Sequence, residues 1–177
     1  SSFKDLRIQG NSIYGNQKKV DKTIDLDDIR DSQLFTFIVS FAQGLSQLKI
    51  ASEEKDYNLN FESICKIWRG GCIIRAKLLE NFMAAFSNNN ELENLLFDEK
   101  ISELIKNSVE SARKVSIYCI ENHFPAHSLL SSISYFDALK TSKLPTNLIQ
   151  AQRDCFGEHT FERVDKPGTF HYKNWQE

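Results

Sequence analysis

Apolar residues recur at Leu34, Phe37, Ile38, Phe41, Leu45 and Leu48, behind the acids Asp25, Asp27 and Asp28. This is the period of one helix face with negative charge at the positive end of the helix dipole, and it predicts a long helix reaching about Ser52. Asn60 is placed to cap a short helix through Trp68, because its side-chain oxygen can accept from a first-turn amide that has no helical partner. Gly70 and Gly71 interrupt the pattern, and Ile73, Ile74, Leu78, Phe82 and Phe86 resume it as a second helix that stops at Asn88–Asn90. A third long stretch carries Ile101, Leu104, Ile105, Ala112, Val115 and Cys119 and ends before Pro125. A fourth, with Leu129, Ile133 and Phe136, runs to about Thr141. Pro145 suits the first turn of a last helix and Gly157 its exit, enclosing Leu148, Ile149, Ala151 and Phe156.

Beyond Gly157 the helical period is lost. Pro167, Gly168 and the rings of Phe161, Phe170, His171, Tyr172 and Trp175 read as an extended tail. A tail without a secondary element of its own cannot bury those rings alone, so it is expected to lie against another surface, this domain or, preferentially, a partner subunit. The organisation predicted is a helical domain over 1–157 and a tail over 158–177.

Composition supports the helical reading. The chain has 177 residues, 41% apolar and 26% charged, enough to bury one core without a disulfide or metal staple. Seven Gly and three Pro are too few for a turn-rich sandwich or a Gly-rich nucleotide loop, and they favour an all-α fold. The balance of 22 basic against 24 acidic residues, −2 overall, supplies no global reason to bind nucleic acid or an anionic membrane. No apolar run is expected to approach the roughly 20 residues of a membrane span. Cys65, Cys72, Cys119 and Cys155 form no CxxC pair and sit in apolar helical patterns, which predicts buried reduced thiols and a cytoplasmic setting. The start, Ser-Ser-Phe-Lys, has no signal-peptide character and no Met, as expected of a processed or truncated chain.

Signals of chemistry are sparse. His123 and His127 are separated by Pro125 and have no acid in register, so no metal site is predicted. No GxSxG, P-loop or GxGxxG is present. What stands out is a polar cluster around the end of the last helix, namely Gln150, Gln152, Arg153, Asp154, Glu158 and His159. An Arg there is ordinarily a solvated charge satisfying the helix dipole. It can also be an anion grip, a guanidinium fork on phosphate with an imidazole as a further donor. Arg30 and Lys4 present the same pair of readings.

Longer motifs bear on the choice. Trp68-Arg69-Gly70-Gly71-Cys72-Ile73-Ile74-Arg75, then Leu144-Pro145-Thr146-Asn147-Leu148-Ile149-Gln150-Ala151-Gln152-Arg153-Asp154, then Phe156-Gly157-Glu158-His159-Thr160 together resemble 6-phosphogluconate dehydrogenase. The likeness extends from Lys4-Asp5-Leu6-Arg7-Ile8-Gln9 through Ala42-Gln43-Gly44 to Asn174-Trp175. It implies the all-α, multi-helix C-terminal domain of that family with its extended tail. It also implies that the dinucleotide-binding domain, which holds most of the NADP site, and the base lysine and acid glutamate lie upstream of this segment.

The resemblance implies a phosphate site for 6-phosphogluconate built from Lys4, Arg30, Arg153 and His159, with Arg153 and His159 donated to the neighbouring subunit of a homodimer. Several cations around a dianionic ester make physical sense, since a desolvated phosphate needs charge and directed donors. Arg69 and Arg75 are expected to be structural partners near the Gly70–Gly71 break. Departures from the family pattern are Cys155 and Phe161 where tyrosine is common, and Thr146 and Glu158 where alanine is common; none removes a phosphate ligand.

The implied activity is oxidation of 6-phosphogluconate at its C3 hydroxyl by NADP and loss of carbon dioxide, leaving ribulose 5-phosphate in the oxidative pentose phosphate pathway. This segment would anchor substrate and join subunits, and it is expected to be inactive alone, with no catalytic residue of its own. The alternative is a non-catalytic helical module that only holds subunits together.

Overall fold

The structure is a computed structural model that describes residues 3–15 and 23–172. It divides into two compact units, 1–136 and 137–177, each described by itself; the last predicted helix therefore groups with the tail.

The first unit contains α1 (Lys4–Tyr14), α2 (Leu26–Glu54), α3 (Phe61–Gly71), α4 (Leu79–Asn88), a 3₁₀ turn at Leu95–Phe97, α5 (Glu99–Glu121) and most of α6 (His127–Lys140). Asp25 caps α2 by accepting from Asp27 N at 2.9 Å, Asn60 caps α3 by accepting from Ser63 N at 2.7 Å, and Asp98 caps α5 by accepting from Ile101 N at 3.0 Å. The α2–α5 pair forms the spine of the unit, burying Phe35, Ile38, Val39, Ala42 and Leu45 of α2 with Ile101, Ile105 and Ala112 of α5. An aromatic group extends the core, with the Phe41 ring 5.3 Å from Phe82 and 5.9 Å from Trp68. Asn94 donates to Ser46 Oγ and to Tyr135 OH while accepting from Leu96 N, which fastens the 3₁₀ turn to α2 and α6. Asp28 accepts from Ser111 at 2.6 Å and faces Lys114 Nζ at 3.4 Å. The Ser111 hydroxyl, and behind it the Lys114 charge, hold the Asp28 carboxyl below the usual carboxylate range against a smaller opposing effect of burial.

The helix expected to resume at Ile73 begins only at Leu79: turns follow Gly71, and Ile73 is fully exposed. Arg69 bridges the gap instead, pairing with Glu80 at 2.9 Å, while Arg75 is exposed. Only Cys65 is buried, and burial pushes its thiol up to about 11; Cys155 is exposed. Helix α2 is, by length and composition, long and apolar enough to cross a membrane, contrary to the sequence reading. Within this fold it is a core helix whose apolar side faces α5.

The second unit contains the end of α6, then α7 (Asn147–Gly157) and a two-residue antiparallel ladder of β1 (Phe161–Glu162) and β2 (Thr169–Phe170), in which Phe161 faces Phe170 and Glu162 faces Thr169. The tail thus has a secondary element of its own, and its Phe161 and Phe170 rings pair at 6.3 Å. Trp175 and Asn174 lie outside the described residues.

Candidate functional site

Helix α7 presents two faces. Gln150 and Ala151 are half-buried and Asp154 is wholly buried, whereas Leu148, Ile149, Arg153, Cys155 and Phe156 face outward. The helix closes with Glu158 N donating to Asp154 O at 2.9 Å. The residue that turns left-handed is Glu158, at φ 52°, and not Gly157 as the exit pattern suggests. The absence of a side chain at Gly157 matters for another reason. A Cβ placed on it would lie 3.0 Å from Nε2 and 3.2 Å from Cδ2 of His159, so the imidazole rests on the bare glycine backbone.

His159 sits between two left-handed residues, since Thr160 also has φ 60°. A β-branched residue rarely adopts that conformation and holds it only where surrounding bonds insist. The bond that insists is Thr160 N donating to Asp154 Oδ1 at 3.0 Å. The same carboxylate reaches the far end of the hairpin: His171 Nδ1 lies 2.8 Å from Oδ1, and Tyr172 N donates to Oδ2 at 3.0 Å. Beside an acceptor-only carboxylate, the His171 proton is assigned to Nδ1. His171 Nε2 lies 3.9 Å from Glu158 Oε1, so this carboxylate leans toward His171.

Arg153 is exposed, and among the described residues its side chain meets Gln150 Oε1 at a long 3.4 Å. His159 is exposed too. The structure therefore brings a guanidinium and an imidazole to one end of α7, both open to solvent, with backbone positions fixed from the buried side. A nearby cavity of about 280 Å3 between α7 and β1 is lined by Lys143, Gln150, Phe161, Arg163 and Asp165 among others. Its Arg163 is already held in a fork by Asp165 at 2.8 and 2.6 Å, and Arg153 and His159 do not line it.

Lys4 and Arg30 fall in the first unit. Lys4 opens α1 and is exposed. Arg30, in the first turns of α2, binds Asp31 through Nε at 2.9 Å and Asp27 through Nη1 at 2.7 Å. The Asp31 bond, with the charge of Asp27, drives its pKa still higher. Sequence reasoning put Asp154 in the polar cluster but gave it no role, and its burial is the feature of this site that was missed. Among the described residues no group of His, Cys, Asp and Glu has the makings of a metal site.

Residues 1–175 match the family described as 6-phosphogluconate dehydrogenase, C-terminal domain. The chain is 42% identical over 180 residues to 6-phosphogluconate dehydrogenase, decarboxylating, of Lactococcus lactis, covering 97% of this chain and 37% of that protein. It is 39% identical over 179 residues to the Drosophila melanogaster enzyme of the same name, covering 99% of this chain and 37% of that protein. A solved structure of Plasmodium falciparum 6-phosphogluconate dehydrogenase, studied apo, with its cofactor NADP+ and with its substrate 6-phosphogluconate, superposes with a TM-score of 0.89 at 39% identity, over 97% of this chain and 38% of that one. The chain thus spans little more than a third of the length of these relatives.

Proposed function

The chain belongs to the 6-phosphogluconate dehydrogenase family, through that family's C-terminal domain, and from that premise we propose that it anchors the substrate phosphate and pairs subunits in an NADP-dependent oxidative decarboxylation of 6-phosphogluconate. The observation that carries this reading is the pairing of exposed Arg153 and His159 at the fixed end of α7. A guanidinium takes two phosphate oxygens at once and an imidazole adds a directed donor, so the two suit a phosphate ester better than a carboxylate alone. Binding energy gathered on the phosphate, remote from the reacting carbon, holds the sugar acid in register for the chemical step.

In this reading NADP would be held mainly by the part of the relatives that this chain does not cover.

Subunit pairing is supported by the outer face of α7, where Leu148 and Phe156 are 81% and 80% exposed and Ile149 and Cys155 adjoin them. A homodimer in which this face meets a second subunit would present Arg153 and His159 to the neighbour's site. Lys4 and Arg30 would face them there, although Asp27 and Asp31 beside Arg30 oppose an anion; the reading rests on Arg153 and His159. A cytoplasmic enzyme is the setting this implies.

The test is Arg153→Ala in the complete enzyme. A rise of the KM for 6-phosphogluconate by about tenfold or more is expected, the loss of a charge-assisted bond, with the dimer intact by sedimentation. An unchanged KM in an intact dimer would refute anchoring and leave the purely dimerising module standing.

A further inference from the structure

We infer that Asp154 is a positioning residue for phosphate recognition: it acts through His159, whose turn it locks, and does not touch the anion. The inference rests on the function proposed above for what His159 binds. Its own support is geometric.

Among the described residues Asp154 is the one Asp, Glu, Lys, Arg or His that is buried, at 0% exposure. A carboxylate is withdrawn from water only where donors replace the water. Here the donors come from two irregular stretches that no helix or sheet would otherwise hold: Thr160 N beside His159, and His171 Nδ1 with Tyr172 N where the tail returns. The helix that carries Arg153 is thereby bonded to the turn that carries His159, so the backbones that bear the guanidinium and the imidazole are held in a fixed relation. Adjacent helix positions lie about 100° apart around the axis, which is why Arg153 points out while its neighbour points in. A negative charge so close to a phosphate site would repel the ligand if it were exposed; buried against His171, it is turned away from that role.

Left to themselves, Glu158 and Thr160 would relax from φ 52° and 60° into commoner conformations, and His159 would leave its seat on Gly157. Asparagine at 154 keeps the volume but turns one acceptor into a donor, so it cannot serve Thr160 N, His171 Nδ1 and Tyr172 N together.

The experiment is a mutant cycle in the complete enzyme with Asp154→Asn, His159→Asn and the double variant. The readouts are the KM for 6-phosphogluconate, the inhibition constant of inorganic phosphate and the KM for NADP. Asp154→Asn is expected to raise the first two about tenfold and to leave the KM for NADP in place. In the His159→Asn background it is expected to add less than twofold, because its effect runs through the missing ring. An equal, additive loss in that background would overturn the proposal. Nuclear magnetic resonance on the wild-type enzyme decides the matter even where Asp154→Asn does not fold. Slow exchange of the Thr160 and Tyr172 amides, with a contact between the His159 ring and the Gly157 α-protons, supports the lock; fast exchange of both amides without that contact overturns it. If His159→Asn alone leaves the substrate KM unchanged, the phosphate reading fails, and the same resonances still report whether Asp154 positions the ring.

Discussion

Replacing Gly157 with alanine separates the position of His159 from the stability of the fold. The added methyl would stand 3.0 Å from Nε2, 3.2 Å from Cδ2 and 3.8 Å from Cε1 of the imidazole, against an optimal separation of about 3.5–4.0 Å. The ring must retreat by roughly half an ångström, and being exposed it can swing aside at little cost. Gly157 is the last residue of α7, so alanine also gains up to about 1 kcal/mol of helix propensity, less at a terminus than in the interior. Thermal unfolding should therefore show a Tm that is unchanged or raised by up to about 4 °C. Substrate binding should respond in the opposite direction. A charge-assisted bond of about 1.5–3 kcal/mol, partly lost, corresponds to a rise in the KM for 6-phosphogluconate of about three- to thirtyfold in the complete enzyme. A variant whose Tm holds, whose ring has moved by resonance and whose KM is that of wild type would refute the assignment of His159 as a phosphate ligand. A Tm lowered by several degrees would refute the claim that the ring yields freely.

Two further expectations concern the fold. The Asp28 carboxyl is held below its ordinary range chiefly by Ser111, so the stability it contributes is complete above about pH 4 and is lost as pH falls through its lowered pKa. Asp28→Asn should accordingly flatten the acid limb of a Tm against pH curve between about pH 2 and 4 and leave the curve's shape at neutral pH unaltered; an unchanged acid limb would contradict it. Cys65, with its thiol pushed up to about 11 by burial, holds about one part in a thousand as thiolate at pH 8. Iodoacetamide followed by peptide mass analysis should label Cys65 only after unfolding; early labelling would show that its helix opens locally.

Much of the helical architecture was legible because it rests on short-range signals. The apolar period drew α2 and α5, and the Asn60 cap marked the start of α3 to the residue, although the helix runs past Trp68 to include Gly70 and Gly71. The start of α4 was misplaced because Ile73 and Ile74 keep helical spacing while the chain they belong to has left the helix after Gly71. Periodicity records where apolar residues fall and not whether a backbone follows. The β1–β2 ladder is too short to display an alternating pattern. The motif singles out Arg153 and His159 as candidates, but it does not reveal the burial of Asp154. An acid near the end of a helix reads as a surface residue, and what buries it are two backbone amides and a histidine ring, the last 17 positions away, whose return to the helix depends on the hairpin between them.

The Asp154 to His171 bond also closes a ring of chain. In an otherwise flexible segment, bringing together residues 17 positions apart costs about 2.5 kcal/mol of configurational entropy, from the logarithmic dependence on loop length. Pro167, with its fixed φ, removes part of that freedom before folding begins. The carboxylate thus behaves as a reversible, non-covalent cross-link between the helix and the returning tail. When it lets go, the hairpin and the His159 turn gain their freedom together, and a protease cutting in the 163–168 turn would convert a tethered loop into two loose ends without touching the helix that bears Arg153.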